Sequence, residues 1–173
     1  RARRRDASAE EVDMAITKAE AIQPGWNALG GEKRAALLEA AADEFEAHTD
    51  EILSLCQLEA GKTIVDSVLE LREAVDFLRY YATEARRLFA EPTPLPGPTG
   101  EENYLKLAGR GVFATISPWN FPLAIFIGPA AAALAAGNTV VAKPAEQTPL
   151  IAALAVKLCH DAGIPEEVFQ LLP

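Results

Sequence analysis

Residues 111–149, GVFATISPWNFPLAIFIGPAAAALAAGNTVVAKPAEQTP, constrain the fold more than any other stretch of the chain. Two short apolar strands are predicted, at 112–117 and 139–142. An Ala-rich helix is predicted between them, over 122–136. Strand, helix and strand within about thirty residues make a unit of βαβ size. Each strand runs into a polar loop: Ser117-Pro118-Trp119-Asn120 after the first, Lys143-Pro144-Ala145-Glu146 after the second. Ligands of open parallel sheets bind beyond the carboxyl ends of the strands. Asn120, Lys143 and Glu146 are therefore the first candidates for chemistry.

The flanking sequence reads as support for this unit. Of the net charge of −9, residues 1–109 carry −8 and residues 110–173 only −1. That asymmetry predicts solvated amphipathic helices followed by a buried α/β core. An acidic chain lacking a basic patch argues against nucleic acid. The basic start, Arg1, Arg3, Arg4 and Arg5, reads as a solvated end or linker. Ser8 and Glu11 form a capping box. The helix they open carries Val12, Ile16 and Ala19 on one face and is predicted to stop before Pro24-Gly25, leaving Trp26 as a packing anchor in the connection. A second helix is expected over 32–47, with Leu37, Leu38, Ala41 and Phe45 inward and His48 near its end. Thr49 is expected to cap a third over 50–60, ended by Gly61. The longest, over 63–89, carries an apolar stripe of Ile64, Val68, Leu71, Val75, Leu78 and Ala82, widened by Phe77, Tyr80, Tyr81 and Phe89.

Residues 91–100 hold four prolines and two glycines, which predicts a loop or linker without regular structure. A strand is expected over 103–108. The Gly109-Arg110-Gly111 run precedes a strand rather than following one, and no GxGxxG is present. Thr148 as N-cap and Pro149 in the first turn open a last helix, and a third parallel strand is expected at 168–172. Three segments result: helices over 1–90, a Pro-rich loop and strand over 91–109, and the first part of a βαβαβ domain over 110–173. A parallel sheet this small is poorly covered, so the chain reads as part of a larger fold.

Two readings stand open at each polar loop. The Asn120 amide, held after a strand end between Pro118 and Pro122, can donate to a developing oxyanion or stabilise its own loop as an Asx-turn. Lys143 and Glu146 can grip a ribose, the carboxylate accepting from two adjacent hydroxyls and disfavouring a 2′-phosphate. They can equally form a surface ion pair. Cys56 and Cys159 lie in apolar helical surroundings and read as reduced, buried thiols. No metal site is evident around His48. No signal-peptide core is present, and 121–137, broken by Pro122, Gly128 and Pro129, is marginal for a membrane span.

The motifs Ser-Pro-Trp-Asn-Phe-Pro at 117–122, Ala-Ala-Gly-Asn-Thr-Val-Val at 135–141 and Lys-Pro-Ala-Glu-Gln-Thr-Pro at 143–149 resemble those of the aldehyde dehydrogenase superfamily. They are ordered and correctly spaced. Trp26 and the Glu59-Ala60-Gly61-Lys62 turn resemble the same family's leading segment. Within it, 95–100, 109–113 and 116–126 are most similar to the glutamate-semialdehyde (pyrroline-5-carboxylate) dehydrogenase portion of the proline utilization A proteins. The resemblance implies an α/β fold, with N-terminal helices packed on the first part of a Rossmann-like parallel sheet. It implies NAD as cofactor and glutamate semialdehyde as the small-molecule substrate, oxidised to glutamate in proline catabolism. Asn120 would supply the oxyanion-hole amide, and Lys143 and Glu146 would hold the adenosine ribose. Ile116, Ser117, Pro118 and Trp119 would line the NAD path. The Pro-rich loop and the Tyr104 strand would belong to an oligomerisation flap, which implies a homo-oligomer.

The family's nucleophilic cysteine and general-base glutamate match no position in this chain, and acyl-enzyme chemistry needs both. The 173-residue chain alone is therefore expected to be inactive. A cytoplasmic location without membrane contact is expected, and a flavin-dependent proline dehydrogenase fused upstream accords with the bifunctional enzymes. Three alternatives remain: a truncated nucleotide-binding module without catalysis, a dehydrogenase of another aldehyde, and a helical interaction protein.

Overall fold

The structure, a computed structural model, describes residues 5–173. Arg1, Arg3 and Arg4 of the basic start lie outside the described residues; Arg5 pairs with Glu11. Four helices come first: α1 (Ala9–Ala28), α2 (Gly30–Ala47), α3 (Thr49–Ala60) and α4 (Ile64–Phe89). An antiparallel ribbon follows, β1 (Thr93–Leu95) with β2 (Asn103–Leu105). The remainder alternates: β3 (Val112–Ile116), α5 (Ala124–Ala135), β4 (Thr139–Lys143), α6 (Pro149–Asp161) and β5 (Phe169–Leu171). The three strands form a parallel sheet in the order β3-β4-β5, with Val112 opposite Thr139 and Ile116 opposite Lys143. The predicted βαβ unit is thus present and extended by a second crossover.

Alternation along β4 sorts the core. Val140 and Ala142 face the large cluster built with α5 and α6, while Val141 faces α1, where Ala15 and Ala19 are buried. Thr139 Oγ1 donates to Ala19 O at 3.1 Å and Gln170 Nε2 to Ala15 O at 2.8 Å, tying α1 across the sheet. On its other side the large cluster reaches α2 and α4. There Gly31 lies so close to α4 that an added Cβ would stand 2.2 Å from Ala85 O.

Several boundaries differ from the sequence expectation. Helix α1 does not stop before Pro24; it continues to Ala28, with Trp26 inside it. An interior proline costs about 3 kcal/mol, and its last turn is held by distant anchors. Trp26 Nε1 donates to Leu134 O at 3.1 Å, Gln23 Nε2 donates to Gly137 O at 2.9 Å, and buried Arg34 binds the carbonyls of Trp26 and Asn27. Trp26 is the packing anchor predicted, on a helix rather than in a connection. Along the same helix Ala15, not Ile16, is buried.

Thr49 is not an N-cap: His48 occupies that position, and the Thr49 hydroxyl donates back to Glu46 O. Gly61 does end α3, in the left-handed region at φ 69°. Thr63 caps α4 by accepting from Asp66 N. The predicted α4 stripe holds at Leu71, Val75, Leu78 and Ala82, but Ile64, Val68 and Tyr80 are exposed, and Ser67 and Glu70 are buried in the first two turns. The first two turns of α4 are turned to point a carboxylate inward. The segment 91–100 is not wholly irregular, since Thr93–Leu95 pairs with Asn103–Leu105. Proline is compatible with an edge strand whose outer side needs no N–H donor. The strands themselves are shorter or shifted by a residue: 103–108 narrows to Asn103–Leu105, 112–117 ends at Ile116, 139–142 reaches Lys143, and 168–172 narrows to Phe169–Leu171. The helix expected over 122–136 narrows to Ala124–Ala135. Among the described residues no helix is long and apolar enough to cross a membrane, and no three His, Cys, Asp or Glu side chains gather as a metal would require.

Candidate functional site

The parallel pairing brings the ends of β3 and β4 side by side. Ser117 N donates to Lys143 O at 3.2 Å, so the two polar loops leave the sheet joined. Beside that junction lies a cleft of about 610 Å³, between β3, β4 and the first turns of α1. Its walls are mainly apolar (Val12, Ile16, Val112, Val141), and Ile116, Lys143 and Glu146 stand at its mouth with Thr115 and Asp6.

Lys143 Nζ lies 2.6 Å from Glu146 Oε1 and donates to Pro144 O at 3.0 Å. This is the ion pair of one of the two readings. Both side chains stay largely exposed, at 44% and 67%, so the contact is compatible with release to a ligand. The hydrogen bond from the Lys143 ammonium holds the Glu146 carboxyl below its ordinary value, leaving it an acceptor without a proton. A carboxylate and an ammonium above an apolar cleft suit a nucleoside: hydroxyls for the charged pair, a flat ring for the walls. The donor set fits the ribose of a dinucleotide.

Asn120 stands elsewhere. With Pro118 and Trp119 it lies past the end of β3, outside the lining of the cleft, and it is exposed. Among the described residues no hydrogen bond ties down its amide, in contrast to Asn138, which accepts from Arg110 N and Gly111 N and donates to Ala133 O. The Asx-turn alternative thus lacks its bond. The structure brings Ile116, Ser117, Lys143 and Glu146 together and sets Pro118, Trp119 and Asn120 on the adjoining loop.

Neither cysteine is placed for chemistry. Cys56 and Cys159 are buried, and burial pushes both thiols up to about 12, the Glu70 carboxylate adding to the effect at Cys56. A thiol so placed is not a nucleophile near neutral pH.

Sequence reasoning missed the groups that hold the two loops. Thr148 stands at the N-cap of α6, as predicted, but its side chain makes no capping hydrogen bond. Glu59, at the end of α3, accepts instead from Leu150 N at 2.9 Å and from Ile151 N at 2.9 Å. Pro149 does stand in the first turn of α6, as predicted. The amides at the start of α5 are likewise met by Glu70 of α4. The available signal was the Glu59-Ala60-Gly61-Lys62 turn, which places a carboxylate and an ammonium between α3 and α4.

A parallel α/β sheet with helical crossovers and polar loops at adjoining strand ends, beside a mainly apolar cleft, has the architecture of the Rossmann-like α/β folds. The chain belongs to the aldehyde dehydrogenase family, whose model matches residues 2–173. It is 48% identical over 169 residues to the bifunctional protein PutA of Klebsiella aerogenes, covering 98% of this chain and 12% of that protein. It is 37% identical over 167 residues to 1-pyrroline-5-carboxylate dehydrogenase 2 of Bacillus subtilis, covering 96% of this chain and 32% of the relative. Among solved structures it superposes on a proline utilization A variant of Bradyrhizobium japonicum with a TM-score of 0.95 and 52% identity, over 98% of this chain and 18% of that one. It superposes on a Thermus 1-pyrroline-5-carboxylate dehydrogenase with bound NAD at 0.91 and 35% identity, over 97% and 33%. The chain therefore spans about an eighth to a third of these relatives' length.

Proposed function

We propose that the whole protein containing this chain is an NAD-dependent dehydrogenase. It oxidises L-glutamate γ-semialdehyde, formed from 1-pyrroline-5-carboxylate, to L-glutamate in proline catabolism. The observation that carries this is the 48% identity to a PutA protein across nearly the whole chain. The ribose-suited pair at the end of β4 supports it. NAD, when bound, supplies the two-electron acceptor. Glu146 accepts from the adenosine ribose hydroxyls and Lys143 donates to the same ring, while Ile116, Ser117, Pro118 and Trp119 line the path from that ring toward the chemistry.

Asn120 donates its amide N–H to the oxygen that gains charge when a thiolate attacks the aldehyde carbonyl. The thiolate and the base that activates water are supplied by residues other than those of this chain, since both of its cysteines are buried and protonated. The 173-residue chain alone is accordingly inactive. The relatives' bifunctional name supports a fused proline dehydrogenase, and the exposed β1–β2 ribbon, with Leu95, Tyr104 and Leu105 open to solvent, supports its use as a homo-oligomer contact. A cytoplasmic location accompanies this metabolic role.

The deciding experiment is Asn120→Ala in the full-length protein. Turnover of the semialdehyde is expected to fall about a hundred- to thousandfold, while the NAD dissociation constant stays within about twofold of the parent. Unchanged turnover removes Asn120 from the mechanism, and absence of NAD-dependent semialdehyde oxidation by the parent protein overturns the whole reading.

A further inference from the structure

Glu70 is buried, at 1% exposure, and its two carboxylate oxygens do different things. Oε2 accepts from Leu123 N at 3.1 Å and from Ala124 N at 2.9 Å, the amides that open α5. Oε1 faces the Lys62 ammonium at 2.8 Å. That ammonium in turn lies 4.4 Å from the centre of the Phe121 ring, and Phe121 follows Asn120 directly. The loop from Ser117 to Leu123 is therefore fixed at one end by Ser117 N on Lys143 O and at the other by Glu70. Lys62 braces it one residue past Asn120.

An ordinary helix cap comes from the residue just before the helix. This one comes from the second turn of another helix, 53 residues earlier in the chain. A local cap would fix the start of α5 but leave the loop free to pivot. A buried carboxylate carried on α4 instead ties the loop to the rigid helical layer. The aromatic contact of its lysine partner extends that tie to Phe121.

We propose that the Lys62–Glu70 pair positions the Asn120 amide for oxyanion stabilisation, acting through Leu123, Ala124 and Phe121 without touching substrate. The role rests on the reading of Asn120 as the oxyanion donor. A hydrogen-bond donor displaced by about 1 Å forfeits on the order of a hundredfold in rate, so a brace this close to the donor is felt in turnover rather than in cofactor affinity.

The test uses the full-length dehydrogenase with Glu70→Gln, and with Lys62→Met/Glu70→Gln, which removes both buried charges at once and keeps the chain foldable. Steady-state kinetics are read together with hydrogen exchange of peptides from 117–125 and 139–146. The expected result for both variants is a kcat lowered about tenfold or more, a KM for NAD within about twofold, and faster exchange in 117–125 but not in 139–146. Glu70→Gln combined with Asn120→Ala is expected to turn over no more slowly than Asn120→Ala alone. Equal fractional losses with and without Asn120 overturn the proposal, as does unchanged kcat in both variants. Unaltered exchange across 117–125 overturns it whatever Asn120→Ala does. Unchanged turnover in Asn120→Ala defeats the oxyanion reading alone, because the exchange data judge the brace separately.

Discussion

Arg34 shows how a single residue organises several elements. Its guanidinium is buried and, among the described residues, faces no carboxylate; it donates to Ala135 O at 3.0 Å and Asn27 O at 2.8 Å, carbonyls at the ends of α5 and α1, and lies 5.7 Å from the Phe89 ring. The negative ends of two helix dipoles stand in for an anion. Burial lowers its pKa from the ordinary value, yet an arginine remains charged. Arg34→Met, which keeps the packing volume but strands those carbonyls, is expected to cost about 2–4 kcal/mol in urea unfolding. A loss under about 0.5 kcal/mol would mean that water replaces the guanidinium. The thiols give a second residue-level prediction. With pKa values raised to about 12, only about one in ten thousand is thiolate near pH 8, so Ellman's reagent should label neither Cys56 nor Cys159 until denaturant is added. At this scale the sequence singled out Asn120, Lys143 and Glu146 as candidates because their motifs are contiguous. It was silent on the contacts of Arg34 with Ala135, Glu59 with Leu150 and Glu70 with Leu123, which span 53 to 101 positions.

Among the elements, the ones with an internal period or local chemistry were legible. The Ser8–Glu11 box, the Gly61 stop and the strand–helix–strand order all follow from neighbouring residues. What failed was whatever tertiary partners decide: α1 runs through Pro24 because Trp26 and Gln23 are anchored on the last turn of α5 and the turn after it, and the Thr148 side chain leaves the first amides of α6 to Glu59. The α3–α4 pair thus supplies the carboxylates that start both crossover helices. Glu59→Gln should therefore act on the second loop as Glu70→Gln acts on the first. Stability is expected to fall by about 1 kcal/mol, and NAD affinity of the full-length enzyme to weaken a few-fold with turnover at saturating NAD retained. Loss of turnover with unchanged affinity would show that α6 does not carry the Lys143–Glu146 loop.

For the molecule as a whole, charge predicts its response to acid. The Glu11, Glu39 and Glu84 carboxyls are held below their ordinary value of 4.5, chiefly by the Ser8 amide, by Arg86 and by Arg87. Each protonates more readily when the chain unfolds, so its contribution is complete above about pH 4.5 and is lost as the pH falls through the lower, folded value. The urea midpoint should be flat between about pH 6 and 8 and decline below about 4.5. Because these pairs sit at the surface, the decline should shrink in about 0.5 M salt. A midpoint that falls instead between pH 6 and 8 would place the control in other groups. The β1–β2 ribbon has a different consequence. Its base is fastened at both feet: Phe89 stacks under Arg34, and Gly109 N donates to Asn27 Oδ1 at 2.8 Å, with Gly109 packed so tightly that a Cβ would stand 2.2 Å from Gly137 O. Between those feet the ribbon adds nothing to the core. A protease nick between Gly97 and Gly100 would accordingly yield two pieces that stay associated, so the helical and α/β portions should be separable as genes and reunited as a split protein.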